Sequence, residues 1–454
     1  MYGLRAALRV LFRRVVAIYF RDVEIAGEIP VAGTRGRLFA ANHVNALVDP
    51  ILVLTQAPCD ISPVAKSTLW KIPGLSWLLD AADAVPIVRK RDDPTKTAKD
   101  NDAIFDRVGE HLARGGNILI FPEGTSHNEP RLLALRSGAG RMLARAREHA
   151  GGEALTFQSV ALEFDERDVF RSRSLVLFGP VRSVASVVPD RATPAEEQAK
   201  AITEVLRADL SELLVEGATW EERVLVVRAA EMFANETRER SLSHLNELGR
   251  RIEQARRILH ESAPEAVATI EERLASYFTA LEREEITDDR VARFARRDAA
   301  DALPAARLAW GALRILTLPL AAFGMILYYL PYQVPRAVTN RLRGDPDVTS
   351  TYKLGVGLLV HPLWAAIAIA LAFAKLPTTT AVVASAIVLA APFAALPWLD
   401  RWDRLGARLR LLAPSEDRRE SMARLAAERA AIMEALESAR AKVEGHASAQ
   451  ASQA

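Results

Sequence analysis

Three long stretches without a charged residue constrain the fold of this chain more than any other feature of its sequence. They lie at 315–335, 354–374 and 376–399, and each is bounded by arginine, lysine or aspartate. A helix needs roughly 20 apolar residues to cross the hydrocarbon core of a bilayer, and each stretch reaches that length. Because charged side chains normally interrupt a soluble helix of this length, we expect 307–400 to form membrane segments.

The basic residues that flank these stretches predict how the segments are oriented. Arginines and lysines cluster before the first stretch, between the first and the second, and after the third. The positive-inside rule places all three clusters in the cytoplasm, so the first stretch would enter the membrane and return. Pro319, Gly324 and Pro331 permit such a re-entrant segment. We therefore predict two crossings, 354–374 and 376–399 in a tight hairpin, with both termini on the cytoplasmic side of the inner membrane.

The amino-terminal residues 1–21 alternate apolar and basic side chains with the period of a helix. Leucine, valine and isoleucine recur at three- and four-residue spacing, and arginines occupy a neighbouring face. This pattern predicts a basic amphipathic helix lying in a membrane interface, with its arginines toward anionic head groups. An ordinary helix packed on its own domain is the alternative. The residues concerned are Leu4, Leu8, Leu11, Val15 and Ile18, with Arg5, Arg9 and Arg13.

Residues 22–185 alternate short apolar runs with helical segments, which predicts an α/β domain with a largely parallel central sheet. The strands are predicted at 36–41, 84–88, 117–121, 156–164 and 174–178.

Helical sequence dominates the remainder of the chain. Residues 193–300 are rich in alanine, glutamate, leucine and arginine, and we interpret them as a charged helical region with solvated faces and no chemistry of its own. Residues 415–445 predict an amphipathic or coiled-coil helix. The alanine-, serine- and glutamine-rich tail at 446–454 is predicted to be disordered.

The composition and the motifs that are missing exclude several classes of function. A net charge of +2 provides no excess of positive charge for a nucleic-acid partner. The single Cys59 excludes an internal disulfide framework and fits a reducing compartment. The chain contains neither the G-x-S-x-G elbow of serine hydrolases nor the phosphate-binding loop of nucleotidases.

A histidine and an aspartate, His43 and Asp49, lie close together in the segment N-H-V-N-A-L-V-D-P. Histidine is the side chain best suited to take a proton from an alcohol near neutral pH, and a carboxylate can hold its tautomer and stabilise the imidazolium. Taken alone, such a pair is more often two polar loop residues. Two further patterns strengthen it: a strand that runs into Arg89, and the segment F-P-E-G-T-S-H directly after the strand at 117–121.

Together these segments resemble the glycerol-3-phosphate/1-acylglycerol-3-phosphate acyltransferase superfamily (PlsC-like), over about residues 21–181. The F-P-E-G-T string and its pairing with the upstream N-H and D-P carry the resemblance. It implies that a hydroxyl of the acceptor attacks the thioester of acyl-CoA or acyl carrier protein, a co-substrate rather than a cofactor. It also implies that the reaction uses no metal and forms no covalent acyl-enzyme.

The resemblance assigns roles to individual residues of this chain. His43 is implied as the general base and Asp49 as its orienting partner. Arg89 would bind the phosphate of the acceptor. The remaining implied substrate-binding residues are Glu123, Gly124 and Thr125 in the F-P-E-G-T segment, the following Ser126 and His127, and two sources of positive charge, Lys66 and either Arg131 or Arg136.

Two departures from the common family pattern bear on the acceptor. Five residues separate His43 from Asp49 where four are usual, and Ser126-His127 stands where many members have an arginine. Both features are similar to a subgroup resembling the yeast-type glycerol-3-phosphate acyltransferases. Glycerol 3-phosphate and a lysophospholipid therefore both stay open as acceptors. A membrane-anchored helical scaffold with a degenerate acyltransferase domain is the alternative function, motivated by 193–300 and the terminal helix.

Overall fold

The computed structural model describes residues 2–88, 99–149, 154–296, 305–342, 345–409 and 416–451. These residues form two compact units. The first comprises 1–227, 241–253 and 346–348, and the second comprises 228–240, 254–345 and 349–454.

A seven-stranded mixed sheet is the centre of the first unit. Its spatial order is β1-β7-β6-β2-β5-β3-β4, and every neighbouring pair is parallel except β6 with β7. The α/β prediction is confirmed, although β1 and β3 were not predicted. The strands are β1 (Asp22–Gly27), β2 (Arg37–Ala41), β3 (Ser62–Lys66), β4 (Val85–Ile87), β5 (Ile118–Ile120), β6 (Thr156–Phe164) and β7 (Arg173–Ser183).

Helices pack on the sheet, and their apolar side chains are buried against it. The helices up to α7 are α1 (Tyr2–Tyr19), α2 (Val48–Gln56), α3 (Leu75–Ala81), α4 (Lys99–Ala113), α5 (Gly138–Glu148), α6 (Val184–Val187) and α7 (Ala195–Leu213), with a 3₁₀ helix at Ser67–Lys71. The following α8 (Trp220–Thr237) and α9 (Leu242–Ser262) each have residues in both units.

The central hydrophobic core lies between β2, β5 and β6 and the helices α4, α5 and α7. Leu38, Ile118 and Phe157 are fully buried from the sheet side, and Met142 and Ile202 from the helices. Helix α7 therefore belongs to the α/β core, which corrects the prediction that 193–300 forms a separate charged region. The apolar face of α7 is directed at the sheet and at α5.

Glycine lets α5 approach its neighbours closely. A Cβ at Gly140 would lie 2.2 Å from the carbonyl oxygen of Ala199 in α7. A Cβ at Gly109 in α4 would lie 2.9 Å from the amide nitrogen of Ala146 in α5. Both contacts are shorter than a Cβ tolerates, so any larger residue would push the helices apart.

Helix α1 packs on α2 through the arginines that were predicted to face lipid head groups. Arg5, Arg9 and Arg13 instead donate hydrogen bonds to the carbonyl oxygens of Ile61, Ala57 and Thr55, around the carboxyl end of α2. The prediction was wrong for these three side chains, because the last carbonyls of a helix lack intrahelical donors and attract cations. The apolar face of α1 nevertheless remains open: Leu4, Val10, Leu11 and Ile18 are exposed.

The second unit contains helices only among its described residues. Its remaining helices are α10 (Pro264–Arg283), α11 (Asp288–Ala295), α12 (Ala305–Leu327), α13 (Tyr329–Leu342), α14 (Pro346–Lys375), α15 (Thr378–Leu409) and α16 (Glu416–Ala451).

Helix α16 packs on α10 and α11 rather than forming a coiled coil. Arg429 of α16 is buried with Asp288, at 2.8 Å, and Asp288 also accepts hydrogen bonds from Tyr277 and Asn235. Burial opposes the charge of Arg429, but its hydrogen bonds with Asp288 give a net rise in its pKa. Since α16 continues to Ala451, the disordered tail predicted at 446–454 is helical over most of its length.

Two helices, α14 and the Thr378–Asp400 part of α15, are long and apolar enough to span a membrane. The most apolar part of each helix has a mean hydropathy of 2.1, and most of its residues are not buried. They are joined by the tight turn that the sequence predicted, since α14 ends at Lys375 and α15 begins at Thr378. The first charge-free stretch is divided between α12 and α13, and Leu316–Leu327 is its apolar helical part among the residues whose side chains are described.

Candidate active site

The sheet topology brings the predicted site segments to one edge. Strands β2, β3, β4 and β5 are mutually parallel, so their carboxyl ends lie on the same side of the sheet. His43 follows β2, Lys66 ends β3 and Phe121 follows β5. Ligands of open α/β sheets bind in the crevice outside these ends. Arg89 follows β4 but lies outside the described residues.

Asp49 lies fully buried in the first turn of α2 and holds the loop that carries His43. Its Oδ2 accepts three hydrogen bonds, from the Val44 amide at 2.8 Å, from the Asn45 amide at 2.7 Å and from Nδ1 of His43 at 2.9 Å. Three donors converging on one oxygen fix the position of the carboxylate. The extra residue between His43 and Asp49 does not prevent this contact. Ala46, within the loop, has a positive φ of +33°, which is uncommon for a residue other than glycine.

The contact with Asp49 leaves the other ring nitrogen of His43 available for chemistry. A carboxylate only accepts hydrogen bonds, so Nδ1 of His43 carries the proton and Nε2 has a lone pair. None of the described residues donates a hydrogen bond to Nε2. The imidazole stacks on the ring of Phe121, with centroids 4.1 Å apart, and its side chain is 18% exposed. An oriented imidazole with an open Nε2 can accept a proton from a bound hydroxyl.

Glu123 connects the two site loops through its carboxylate. Its Oε1 accepts the His43 amide at 2.7 Å, and its Oε2 accepts Nε2 of His127 at 2.5 Å and the Leu133 amide at 2.9 Å. The carboxylate is fully buried. These hydrogen bonds give Glu123 a role in joining the two loops, and its implied part in the substrate pocket stays a prediction.

His127 is likewise a structural residue. The Glu129 amide donates to its Nδ1 at 3.1 Å, so the proton of the neutral ring is on Nε2, which faces Glu123. Both nitrogens are engaged and the side chain is 8% exposed. The implied substrate-binding role of His127 stays a prediction, although both ring nitrogens already have partners within the protein.

Gly124 lies in the turn of the F-P-E-G-T segment, where its amide donates to the Phe121 carbonyl at 3.0 Å. It has a φ of +74°, which favours glycine, and a Cβ there would lie 2.6 Å from Nε of Arg136. The exposed guanidinium of Arg136 therefore lies directly over the glycine backbone. Thr125 and Ser126 are half-buried beside it, and the Thr125 hydroxyl donates to the Ser126 carbonyl at 3.2 Å. Arg131 lies outside this contact and is exposed.

Phe121 and Arg167 contribute to the site, and neither had been singled out from the sequence. Phe121 was part of the recognised motif but had no role until its ring was seen against His43. Arg167 lies in the loop between β6 and β7, and its guanidinium donates to the Val44 carbonyl at 3.1 Å. No sequence pattern connects Arg167 with His43, since the contact depends on the pairing of distant strands.

A family model described as Acyltransferase matches residues 22–162, the part of the chain that holds both site loops. The match covers less than half of the chain, so the likeness to the Acyltransferase family is a property of residues 22–162. The match ends within β6 and leaves out β7 of the same sheet, α7, α8 and the second unit.

Curated relatives of the acyltransferase domain differ in the acceptors that their names specify. Lyso-ornithine lipid O-acyltransferase of Pseudomonas aeruginosa is 34% identical over 154 residues, which cover 34% of this chain and 52% of that protein. Glycerol-3-phosphate O-acyltransferase 1 of Saccharomyces cerevisiae is 32% identical over 108 residues, 24% of this chain and 14% of that protein. The chain thus spans about half the length of the first relative and less of the second.

A solved structure also aligns with part of this chain. It is the 1-acyl-sn-glycerophosphate (LPA) acyltransferase, PlsC, from Thermotoga maritima, at 18% identity and a TM-score of 0.33. The alignment covers 46% of this chain and 81% of that chain.

Proposed function

We propose that this protein is a membrane-associated O-acyltransferase of phospholipid synthesis or remodelling. It transfers a fatty acyl group from acyl-CoA or acyl carrier protein to a hydroxyl of glycerol 3-phosphate or of a lysophospholipid. The observation that carries the proposal is the His43–Asp49 pair, with Nε2 of His43 open at the carboxyl edge of the sheet. The family of residues 22–162 supports the same class of reaction.

The chemistry needs one general base and no nucleophile from the protein. Nε2 of His43 accepts the proton as the acceptor oxygen attacks the thioester carbonyl. The C–S bond then breaks, and the imidazolium returns the proton to the leaving thiolate. Asp49 keeps the tautomer fixed and stabilises the imidazolium that forms in between.

The charge at the open side of the site favours an anionic acceptor. The Arg136 guanidinium lies over Gly124, and Lys66 ends the neighbouring strand at the same edge. Arg89 is proposed to add to this charge. The absence of a side chain at Gly124 would let a phosphate approach the backbone of this turn closely.

A membrane location fits a lipid substrate. The exposed apolar face of α1 is proposed to lie in the membrane interface, and α14 and α15 to cross the bilayer as a hairpin. The acyltransferase domain is proposed to lie on the cytoplasmic side of the inner membrane, where the basic flanks of these helices belong.

The function is tested with the purified full-length protein, labelled acyl-CoA or acyl carrier protein, and a panel of acceptors. The panel contains glycerol 3-phosphate, lysophosphatidate, other lysophospholipids and lyso-ornithine lipid. We expect transfer to at least one phosphate-bearing acceptor. Transfer to lyso-ornithine lipid alone would retain the reaction class and contradict the proposed acceptor, and no transfer to any acceptor would contradict the proposed function.

His43→Ala should abolish acyl transfer while the thermal melting midpoint stays within a few degrees of the wild type. Asp49→Asn should lower kcat roughly 10⁴-fold, because the amide no longer fixes the tautomer or stabilises the imidazolium. His260→Ala, at an exposed position of α9, is the matched control and should leave the rate unchanged. Substantial activity in His43→Ala would exclude His43 as the base.

A further inference from the structure

The back of the His43 loop is held by a cation from a different part of the fold. The Arg167 guanidinium donates to the Val44 carbonyl at 3.1 Å and to the side chain of Asn128, and makes a longer contact of 3.5 Å with the His127 carbonyl. The backbone of Arg167 in turn accepts a hydrogen bond from Asn45 at 3.1 Å. One side chain thus joins the loop after β2 to the loop after β5.

A tryptophan at the start of α8 fixes this arginine. The Trp220 indole lies under the Arg167 guanidinium, 5.2 Å from ring centroid to Cζ, and its Nε1 donates to the Asn128 carbonyl at 3.0 Å. Arg223, one turn later, lies 5.5 Å from the same ring and pairs with Glu163 at 2.6 Å. Indole and guanidinium faces attract each other, and the attraction strengthens when water is removed.

The environment of Arg167 is costly for a cation. Burial lowers the pKa of its guanidinium, and the nearby positive charge of Arg223 lowers it further, while Asp49 acts in the opposite direction. A half-buried arginine beside a second arginine is retained only where its hydrogen bonds offset that cost. Those bonds go to the two loops that form the candidate active site.

We propose that Arg167 is a positioning residue that holds the His43 loop against the 127–128 loop, and that Trp220 holds Arg167 in place. The expected change in kcat rests on the proposed acyl transfer. The expected loosening of the two loops does not. The proposal gives the beginning of the 193–300 region a role in the active site, where the sequence suggested only solvated helices.

The kinetic test compares the full-length wild type with Arg167→Gln, Arg167→Lys and Trp220→Phe. Since the hydrogen bonds of Arg167 described above go to the two site loops, Arg167→Gln should lower kcat roughly 10- to 100-fold with little change in either KM. Arg167→Lys keeps the charge and one hydrogen bond and should recover part of kcat. Trp220→Phe keeps a ring beneath the guanidinium but loses the bond to Asn128, so its loss of kcat should be smaller.

The structural test is hydrogen exchange of the same full-length variants, measured by mass spectrometry. Arg167→Gln should raise amide exchange in the peptides that contain 42–47 and 127–131, whether or not the protein is catalytically active in the assay. Arg21→Gln is the control, because Arg21 forms only a half-exposed ion pair with Asp165 at 3.3 Å. It should change neither exchange nor kcat.

The outcomes separate this proposal from the proposed function. Unchanged exchange in the two peptides of Arg167→Gln would overturn the positioning role, as would a wild-type kcat in that variant while His43→Ala is inactive. Raised exchange in a protein that acylates no acceptor would support the positioning role and contradict only the proposed function.

Discussion

At the scale of single residues, two carboxylate–histidine pairs lie side by side, and they differ in which ring nitrogen faces the carboxylate. His43 gives Nδ1 to Asp49 and keeps Nε2 open. His127 gives Nε2 to Glu123 and has its Nδ1 occupied by the Glu129 amide. Only the first pair has a lone pair that a substrate can reach, so the chemistry is assigned to His43.

Replacing Glu123 with glutamine tests its role as a connector. The glutamine oxygen can accept the His43 amide or the Leu133 amide, but its NH₂ group cannot accept either, so a buried donor loses its partner. We expect a loss of about 1–3 kcal/mol in unfolding free energy and a lower kcat. Thermal melting in detergent and steady-state kinetics measure both. A raised acceptor KM with unchanged stability would instead indicate that Glu123 touches the substrate.

His111 makes the stability of the first unit depend on pH. Burial lowers its pKa from the ordinary 6.5, since Gly116 packs against the imidazole. The unfolded chain therefore binds the proton at a higher pH than the folded chain does. The contribution of His111 to stability is present above about pH 6.5 and declines as the pH falls toward the folded-state pKa.

The measurement compares melting midpoints at about pH 7.5 and about pH 5.5. The difference should be smaller in His111→Gln than in the wild type. His260→Gln, at an exposed site, should behave as the wild type does. An identical pH dependence in His111→Gln and wild type would contradict the assignment.

The contacts of these site residues can be predicted from the sequence only in part. The pairing of His43 with Asp49 follows from the motif, because the first turn of a helix after the loop returns Asp49 to the imidazole. The direction of the Glu123 side chain does not follow from the motif, because the motif does not specify which way a carboxylate points. Arg167 lies more than 120 residues from Val44 and becomes a neighbour only through the β2–β6 pairing.

At the scale of elements, close helix packing decides which unit a helix belongs to. Helix α7 shares its alanine, glutamate and leucine content with the later helices, so composition placed it with them. Its apolar face nevertheless packs on α5, where Gly140 leaves room for the backbone at Ala199. The short strands β1 and β3 were missed for a related reason: neither has the continuous apolar run that marks β5.

Gly140→Ala is expected to destabilise the first unit although alanine is the better helix former. The new methyl group would lie 2.2 Å from the Ala199 carbonyl, so α7 must shift, at a cost of roughly 1–3 kcal/mol. Gly445→Ala is the matched control in α16, with nothing within 4 Å, and should be neutral or stabilising by up to about 1 kcal/mol. Equal melting midpoints for Gly140→Ala and wild type would contradict the close packing.

At the scale of the whole molecule, the chain combines an α/β unit with a helical unit that has two helices suited to a bilayer. Within the helical unit, α12 packs on α15 through Gly324, whose Cβ would lie 2.4 Å from the Ala391 carbonyl. Small residues at such crossings let helices associate in lipid. The charge-free stretches predicted these segments, but not that the first would be divided near Tyr328.

The predicted orientation can be tested by labelling single cysteines in a Cys59→Ala background with a membrane-impermeant maleimide. Leu376→Cys lies in the turn between α14 and α15 and should be labelled in sealed cells. Arg341→Cys lies near the end of α13 and should react only after permeabilisation. Labelling of Arg341→Cys in sealed cells would contradict the proposed topology.

The contact of α1 with α2 has a consequence for how a lipid acceptor arrives. The arginines of α1 hold the carboxyl end of α2, and Asp49 lies at the amino end of the same helix. Nine residues of helix are only about 13 Å long. If the open face of α1 rests in the lipid interface, the His43–Asp49 pair lies about one length of α2 away from the helix that contacts the lipid. A lysophospholipid could then present its glycerol hydroxyl to His43 while its acyl chain remains in the membrane.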